Sequence, residues 1–154
     1  ATAVASTSGT SIDFTSIPSW VKRITVMFNG VSTNGTSNPQ IQLGDSGGIE
    51  ASGYLSGAIN LNVSSGPANS TTGLLLDGNH TAADIFHGNA VITLMDASTN
   101  LWSFSCFGGL SNAAAAKVGG GSKSLSATLD RIRLTTVNGT DTFDAGSINI
   151  LYEG

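Results

Sequence analysis

One short stretch of the sequence, DGNHTAADIFH, holds four side chains that can ligate metals or transfer protons. They are Asp77, His80, Asp84 and His87, at spacings of three and four residues. Carboxylate and imidazole groups bind divalent cations when the backbone brings them together. The Gly-Asn pair after Asp77 disfavours the helix that such spacings would need. We therefore predict a polar loop without a metal, with a metal or calcium site as the alternative.

Aromatic residues extend the set of side chains that could bind a sugar. Rings stack on the apolar C–H faces of sugars, while polar side chains hydrogen-bond the hydroxyls. Trp20 precedes a predicted strand and should be partly exposed; Tyr54, in a glycine-rich connection, is expected at the surface. Trp102 alternates with Phe104 and is expected in the core. The candidate ligand-binding residues are therefore Trp20, Tyr54, Asp77, His80, Asp84, His87 and Trp102.

No arrangement of residues in the sequence predicts catalysis. GDSGG at 44–48 resembles the surroundings of a catalytic serine, but the partners of a triad do not fit, so we interpret it as a turn. Asp141 and Asp144 lie three residues apart in a predicted turn, where carboxylates more often accept backbone N–H groups than form a glycosidase pair. Cys106, the only cysteine, is expected in the core. We predict no catalytic residue, no metal and no cofactor.

Composition excludes several classes of partner. The 154 residues correspond to one domain, 1–154, and only 10% are charged, with a net charge of −4. Lys and Arg do not cluster, so we expect no nucleic-acid binding. No apolar run is long enough to cross a bilayer, so we expect no membrane insertion. Low charge removes a usual defence against edge-to-edge pairing, which favours an oligomer that hides its sheet edges.

Apolar residues recur with period two, which predicts strands. The pattern is clearest at 23–29, 40–43, 58–63 and 148–152, and a polar turn at 97–100 predicts a hairpin. Glycine- and asparagine-rich segments, among them Gly119–Gly121, are expected to separate strands, and 111–118 is expected to be a loop or one helical turn. Two changes of alternation, at 128–130 and near Gly146, predict bulges or tight turns. The fold class is all-β, an antiparallel, jelly-roll-like β-sandwich.

Three segments resemble the C-terminal module of tail fibres and tailspikes of tailed bacteriophages. They are TSGTSIDFTSIPSWVKRITVMFNGVSTNGTSN at 7–38, IQLGDSGGIEASGY at 41–54, and LDRIRLTTVNGTDTFDAGSINILYEG at 129–154. The last is the most specific of the three, and together they cover about half of the chain. The resemblance implies a homotrimeric β module at the distal tip of a virion fibre, extracellular on host contact. The chain would then be a C-terminal fragment that follows upstream fibre or tailspike domains.

The leading functional hypothesis is recognition of a bacterial surface glycan, lipopolysaccharide or capsule, through the loops of a trimer. The first alternative is a structural module that trimerises and caps the fibre without binding a ligand, supported by Met27 and Leu151 on otherwise polar strand faces. The second alternative is a carbohydrate-active enzyme domain. The resemblance carries no catalytic residues onto this sequence, and we expect a non-enzymatic protein.

Overall fold

The protein consists of antiparallel β-sheets. A computed structural model describes residues 2–61 and 67–154, and none of these residues is helical. Within these ranges there is accordingly no helix of the length and hydropathy that crossing a membrane requires. The predicted all-β antiparallel class is confirmed. Positions 62 and 63 of the predicted strand at 58–63 lie outside the described residues.

The described strands form two sheets, and all of their pairs are antiparallel. The larger sheet has the spatial order β1 (Val4–Ala5), β13 (Phe143–Glu153), β3 (Arg23–Thr33), β9 (Phe86–Asp96), β10 (Leu101–Leu110), β11 (Ala116–Ser124), β6 (Tyr54–Asn60) and β7 (Ala68–Ser70). The smaller sheet has the order β2 (Ser11–Phe14), β12 (Arg131–Thr136), β4 (Pro39–Asp45) and β5 (Gly48–Ile49), and β8 (Leu74–Leu75) also pairs with β4.

The two sheets share one hydrophobic core, as in a β-sandwich. Ile24 and Ile92 of the larger sheet, and Ile41 and Ile132 of the smaller one, are all fully buried in the same cluster. Alternation places such residues on one face of each strand, because successive side chains of a strand point to opposite faces. Burial of this apolar surface is the main favourable term in the stability of the fold.

The chain ends on a strand inside the larger sheet, as its alternation predicts. Strand β13 pairs antiparallel with β3, with Ile148 opposite Phe28. The pairing slips near Gly146, which has a φ of +90°, a conformation that favours glycine. The bulge predicted there is confirmed. The hairpin predicted around 97–100 is confirmed as well, by β9 and β10.

Two local predictions are wrong. Gly119–Gly121 do not separate strands: they lie inside β11, which begins at Ala116, so the segment before them is not helical. The change of alternation at 128–130, for which a bulge or a tight turn was predicted, is not a bulge within one strand, because it falls in the connection between β11 and β12. The chain leaves the larger sheet after β11 and enters the smaller sheet at β12, so the two halves of the pattern face the core from opposite sides.

Candidate functional site

A buried cluster of four titratable side chains lies between the sheets. Lys117 of β11 points inward and is 1% exposed. Its ammonium contacts the carboxylates of Asp77, which follows β8, and of Asp84, in the connection to β9. His80 lies between these aspartates in sequence and is buried with them. Ionised groups are rarely buried unless they are paired, and here one cation faces two anions.

His80 holds the connection before β9 in place through three contacts. Its backbone N–H donates to Asn38 Oδ1 at 3.0 Å. Its ring Nε2 lies 2.8 Å from Thr33 Oγ1, and its Nδ1 lies 3.3 Å from Asp77 Oδ2. Both ring nitrogens therefore have partners. Asp84 is fixed separately, because its Oδ1 accepts a hydrogen bond from Thr81 Oγ1 at 2.7 Å.

Two glycines allow the backbone that carries Asp77 to pack directly on the larger sheet. A Cβ atom at Gly119 would overlap the carbonyl oxygen of Leu75, and one at Gly78 would overlap that of Ala58. Any larger residue at either position would push the segment away from β11 and β6. The absence of these two side chains is what brings Asp77 within reach of Lys117.

The cluster contains the metal-ligand set that the sequence suggests. Among the described residues, Asp77, His80 and Asp84 are the group that could hold a metal ion, with ligand atoms within 4.8 Å of one another. However, the ammonium of Lys117 contacts both carboxylates and supplies positive charge where a cation would otherwise bind. This arrangement favours an internal ion cluster, and the predicted absence of a metal stays a prediction.

The electrostatics of the cluster follow from burial and hydrogen bonding. Burial acts to raise the pKa of Asp77, but hydrogen bonds from His80, the Asn79 N–H and Lys117 outweigh it and hold that pKa below its ordinary value. Burial, followed by the negative charge of Asp77, raises the pKa of the Cys106 thiol to about 12. Cys106 is buried as predicted, and a thiol with this pKa is a poor nucleophile at neutral pH.

A small cavity borders the cluster. Its volume is about 20 Å³, and it is lined by Asp77 and His80 together with mainly apolar side chains, including Phe28, Phe86 and Phe143. A space of this size holds one water molecule at most. It is too small to bind a sugar, so a glycan would have to bind elsewhere on the protein.

The remaining sequence candidates do not join the cluster. His87 is exposed, and its Nδ1 accepts a hydrogen bond from the Gly30 N–H at 3.2 Å. Trp20 is 58% exposed and Trp102 is buried, and both of these predictions are confirmed. Asp141 accepts the N–H of Ser37 at 2.9 Å, the role expected for a turn aspartate. The structure thus brings together three of the seven candidates, Asp77, His80 and Asp84.

The prediction that Tyr54 lies at the surface is wrong. Its side chain is 1% exposed, because the residue opens β6 with its ring in the core. The hydroxyl oxygen accepts the Leu43 N–H at 2.7 Å and donates to the Glu50 carbonyl at 2.7 Å. These contacts, and not a ligand, explain why a tyrosine is present, and burial raises its pKa far above the ordinary value.

Glu50 forms a further ion pair beside Tyr54, with Lys123 of β11. Burial acts to raise the pKa of Glu50, but hydrogen bonds from Lys123 and from Ser126 outweigh it and lower the pKa. The ammonium of Lys123 also lies 5.4 Å from the centre of the Tyr54 ring, within the range of a cation–π contact. This pair ties β11 to the segment between β5 and β6.

A polar groove lies on the outer face of the smaller sheet, and it was not predicted from the sequence. The strand register places Arg133 between Asp13 and Gln42. Arg133 donates two hydrogen bonds to Asp13, both at 2.7 Å, and Gln42 Nε2 donates to the Thr72 carbonyl at 2.9 Å. The groove has a volume of about 320 Å³ and also includes Asn138. Alternation identifies the outward residues, but only the strand order makes them neighbours.

The outer face of the larger sheet carries an apolar surface. The register sets six residues in one row across it: Asn149, Met27, Asn89, Phe107, Val118 and Ile59. Met27 is 37% exposed, Phe107 62%, and Leu151, in the adjacent row, 50%. None of the six residues in the row is charged. Exposed apolar side chains that form one surface often mark a protein contact.

Comparisons with protein-family models, with curated proteins and with solved structures find no significant match to this chain. The likeness to phage fibre modules thus rests on the three sequence segments alone.

Proposed function

We propose that the chain is the receptor-recognition tip of a bacteriophage tail fibre or tailspike, a jelly-roll-like homotrimer that binds bacterial surface glycan without cleaving it. The observation that carries this proposal is the polar groove on the smaller sheet. The guanidinium of Arg133 and the exposed amide of Asn138 suit the hydroxyl groups of a saccharide, while the buried Gln42, bonded to Thr72, belongs to the floor of the groove. The sequence resemblance to fibre modules supports the same function, on a virion and outside the host cell.

The groove favours weak binding at each site. The described residues that line it include Arg133, Gln42, Thr72 and Asn138 but no aromatic ring, so they offer no stacking on a sugar face. Useful avidity then requires several grooves on one particle. Three copies linked in a trimer raise the overall affinity through effective concentration, provided that the glycan repeats at a matching spacing.

The apolar surface of the larger sheet supports the trimer. Phe107 lies in the middle of an uncharged row of side chains that also contains Met27, and Leu151 lies in the adjacent row on β13. In the proposed assembly this surface contacts two further copies of the chain, which leaves the grooves of the smaller sheets facing outward. The same surface favours the second candidate function, a trimerisation and capping module that binds no ligand.

Native mass spectrometry tests the assembly. We expect a trimer for the wild-type chain and dissociation for Phe107→Asp, because a charge would be buried at the contact. Val137→Asp is the matched control, since Val137 is 45% exposed but borders the groove of the smaller sheet. A wild-type monomer at micromolar concentration would contradict the proposed trimer.

Whole-cell adsorption and glycan arrays test recognition. We expect Arg133→Gln to reduce adsorption by about tenfold or more, since a charged hydrogen bond contributes roughly 1.5–3 kcal/mol. Arg23→Gln, at a partly exposed ion pair with Glu153 on the larger sheet, should leave adsorption unchanged. A trimer that binds no glycan and no susceptible cell would favour the capping function instead.

A further inference from the structure

We propose that Lys117 and Asp77 condense into an intramolecular amide that covalently joins the two halves of the fold. The structure places an amine, a carboxyl group and a second carboxylate in mutual contact within the core. Lys117 and Asp77 are both almost completely buried. This inference is independent of the proposed function, because it concerns the maturation of the chain and not its ligand.

Burial is what makes the reaction accessible. In water, a lysine ammonium and a carboxylate remain ionised and do not react. In a low-dielectric interior, transfer of one proton from the ammonium to a carboxylate removes two buried charges. The free-energy cost of that transfer is therefore lower in the interior than in water. The product of that transfer, a neutral amine held against a neutral carboxylic acid, is the reactive species, and it forms although the hydrogen bonds that lower the pKa of Asp77 favour its ionised form. Fixed contact between the two groups then replaces an encounter in solution.

The contacts assign a role to each group. Asp77 Oδ1 accepts the backbone N–H of Asn79 at 2.9 Å, which stabilises negative charge on that oxygen as Lys117 Nζ attacks the carboxyl carbon. Asp77 Oδ2 lies 3.3 Å from His80 Nδ1 and is the oxygen that departs. Asp84, in contact with the same Nζ, accepts a proton from the amine and passes it to the departing oxygen.

The step is balanced without any further reactant. The N–C bond between Lys117 Nζ and Asp77 Cγ forms, and the bond from that carbon to Oδ2 breaks. The ammonium contributes two protons to Oδ2, which leaves as one water molecule. Asp84 ends the reaction in the protonation state in which it began. No group is oxidised or reduced. The cavity beside Asp77 and His80 is large enough for the water that is released.

Asp77 is the better electrophile of the two aspartates. Its side chain is 3% exposed, against 10% for Asp84. Asp77 also lies two residues after β8, where the close packing permitted by Gly119 fixes its position against β11. Asp84, on the more exposed side of the cluster, is better placed to exchange protons.

The bond would link β11 of the larger sheet to the segment that pairs with β4 of the smaller sheet. The single cysteine rules out a disulfide within the chain. An amide performs the same cross-linking task and does not depend on redox conditions.

Intact-mass spectrometry of the denatured full chain tests the proposal directly. We expect the wild-type mass to be lower than the sequence mass by one water molecule. Peptide mapping should find one branched peptide that joins the regions of Lys117 and Asp77. A folded wild-type chain that keeps its full sequence mass after prolonged incubation would overturn the proposal.

Three variants separate the roles. Lys117→Arg should keep its full mass, because a guanidinium does not form the amide. Asp77→Asn should still form the bond but lose ammonia in place of water. Asp84→Asn should keep its full mass while folding normally by circular dichroism. If Asp84→Asn loses ammonia, or the branched peptide contains Asp84, then the bond forms at Asp84 and our assignment to Asp77 is wrong.

Discussion

Replacing Asp84 with Asn removes the proposed proton acceptor and leaves the ion pair between Lys117 and Asp77 in place. The variant therefore removes the covalent bond while keeping both of the residues that form it. The bond closes a loop between residues separated by 40 positions. Loop-closure entropy for that length corresponds to about 4 kcal/mol of free energy of unfolding. For a chain of this size, such a change lowers the melting temperature by about 8–16 °C.

Differential scanning calorimetry of the two proteins, each of verified mass, measures this difference. The Asp84→Asn substitution also alters the cluster directly, so it is made a second time in a Lys117→Arg background, where no amide forms. The double-mutant cycle then separates the cross-link from the loss of the carboxylate. If the wild type carries the amide and yet melts within about 2 °C of Asp84→Asn, where loop closure predicts several times more, the entropic reasoning is refuted.

Three further predictions concern Tyr54, Gly119 and Glu50. Tyr54→Phe should lower the free energy of unfolding by about 1–3 kcal/mol in urea titrations, because the buried Leu43 N–H loses its acceptor; a loss below about 0.5 kcal/mol would contradict this. Gly119→Ala should reduce both stability and amide yield, while Gly120→Ala should change neither, because its Cβ would meet nothing closer than 3.8 Å; equal effects would refute the close-packing explanation. Glu50 has a folded-state pKa below its ordinary 4.5, so its stabilising contribution is complete at neutral pH and is lost as the pH falls below 4.5 through that pKa. Glu50→Gln should therefore flatten the acid limb of a stability–pH curve, and an unchanged limb would show that the pair contributes nothing.

Period-two patterning predicted the strands well where one face is apolar and the other polar. The hairpin of β9 and β10 and the final strand β13 were both predicted from this alternation, as was the bulge at Gly146. Prediction failed for β11, because Gly119–Gly121 lack the side chains that define alternation. Gly119 is required by the close approach of the Leu75 carbonyl, and Gly121 by that of the Leu55 carbonyl, and both contacts join residues far apart in sequence.

The candidate site was predicted only in part. The stretch 77–87 was singled out as a set of candidate residues, and the structure brings its Asp77, His80 and Asp84 together. Their partner Lys117, however, lies in a segment that was expected to be a loop or one helical turn. Tyr54 was expected at the surface because it lies in a glycine-rich stretch. The pattern of that stretch does not indicate that the Tyr54 side chain faces the core. The polar groove on the smaller sheet was not predicted at all, since its members come from separate strands.

The sequence by itself determined the strand-forming pattern, the low charge and the presence of two aspartates and a histidine in one short stretch. These are local properties, set by residue types and by the period of the backbone. Only the tertiary structure decided that Lys117 faces those aspartates, and that Arg133 lies between Asp13 and Gln42. Strand order and the packing of one sheet on the other create these neighbours, and both depend on contacts between distant residues that no local pattern encodes.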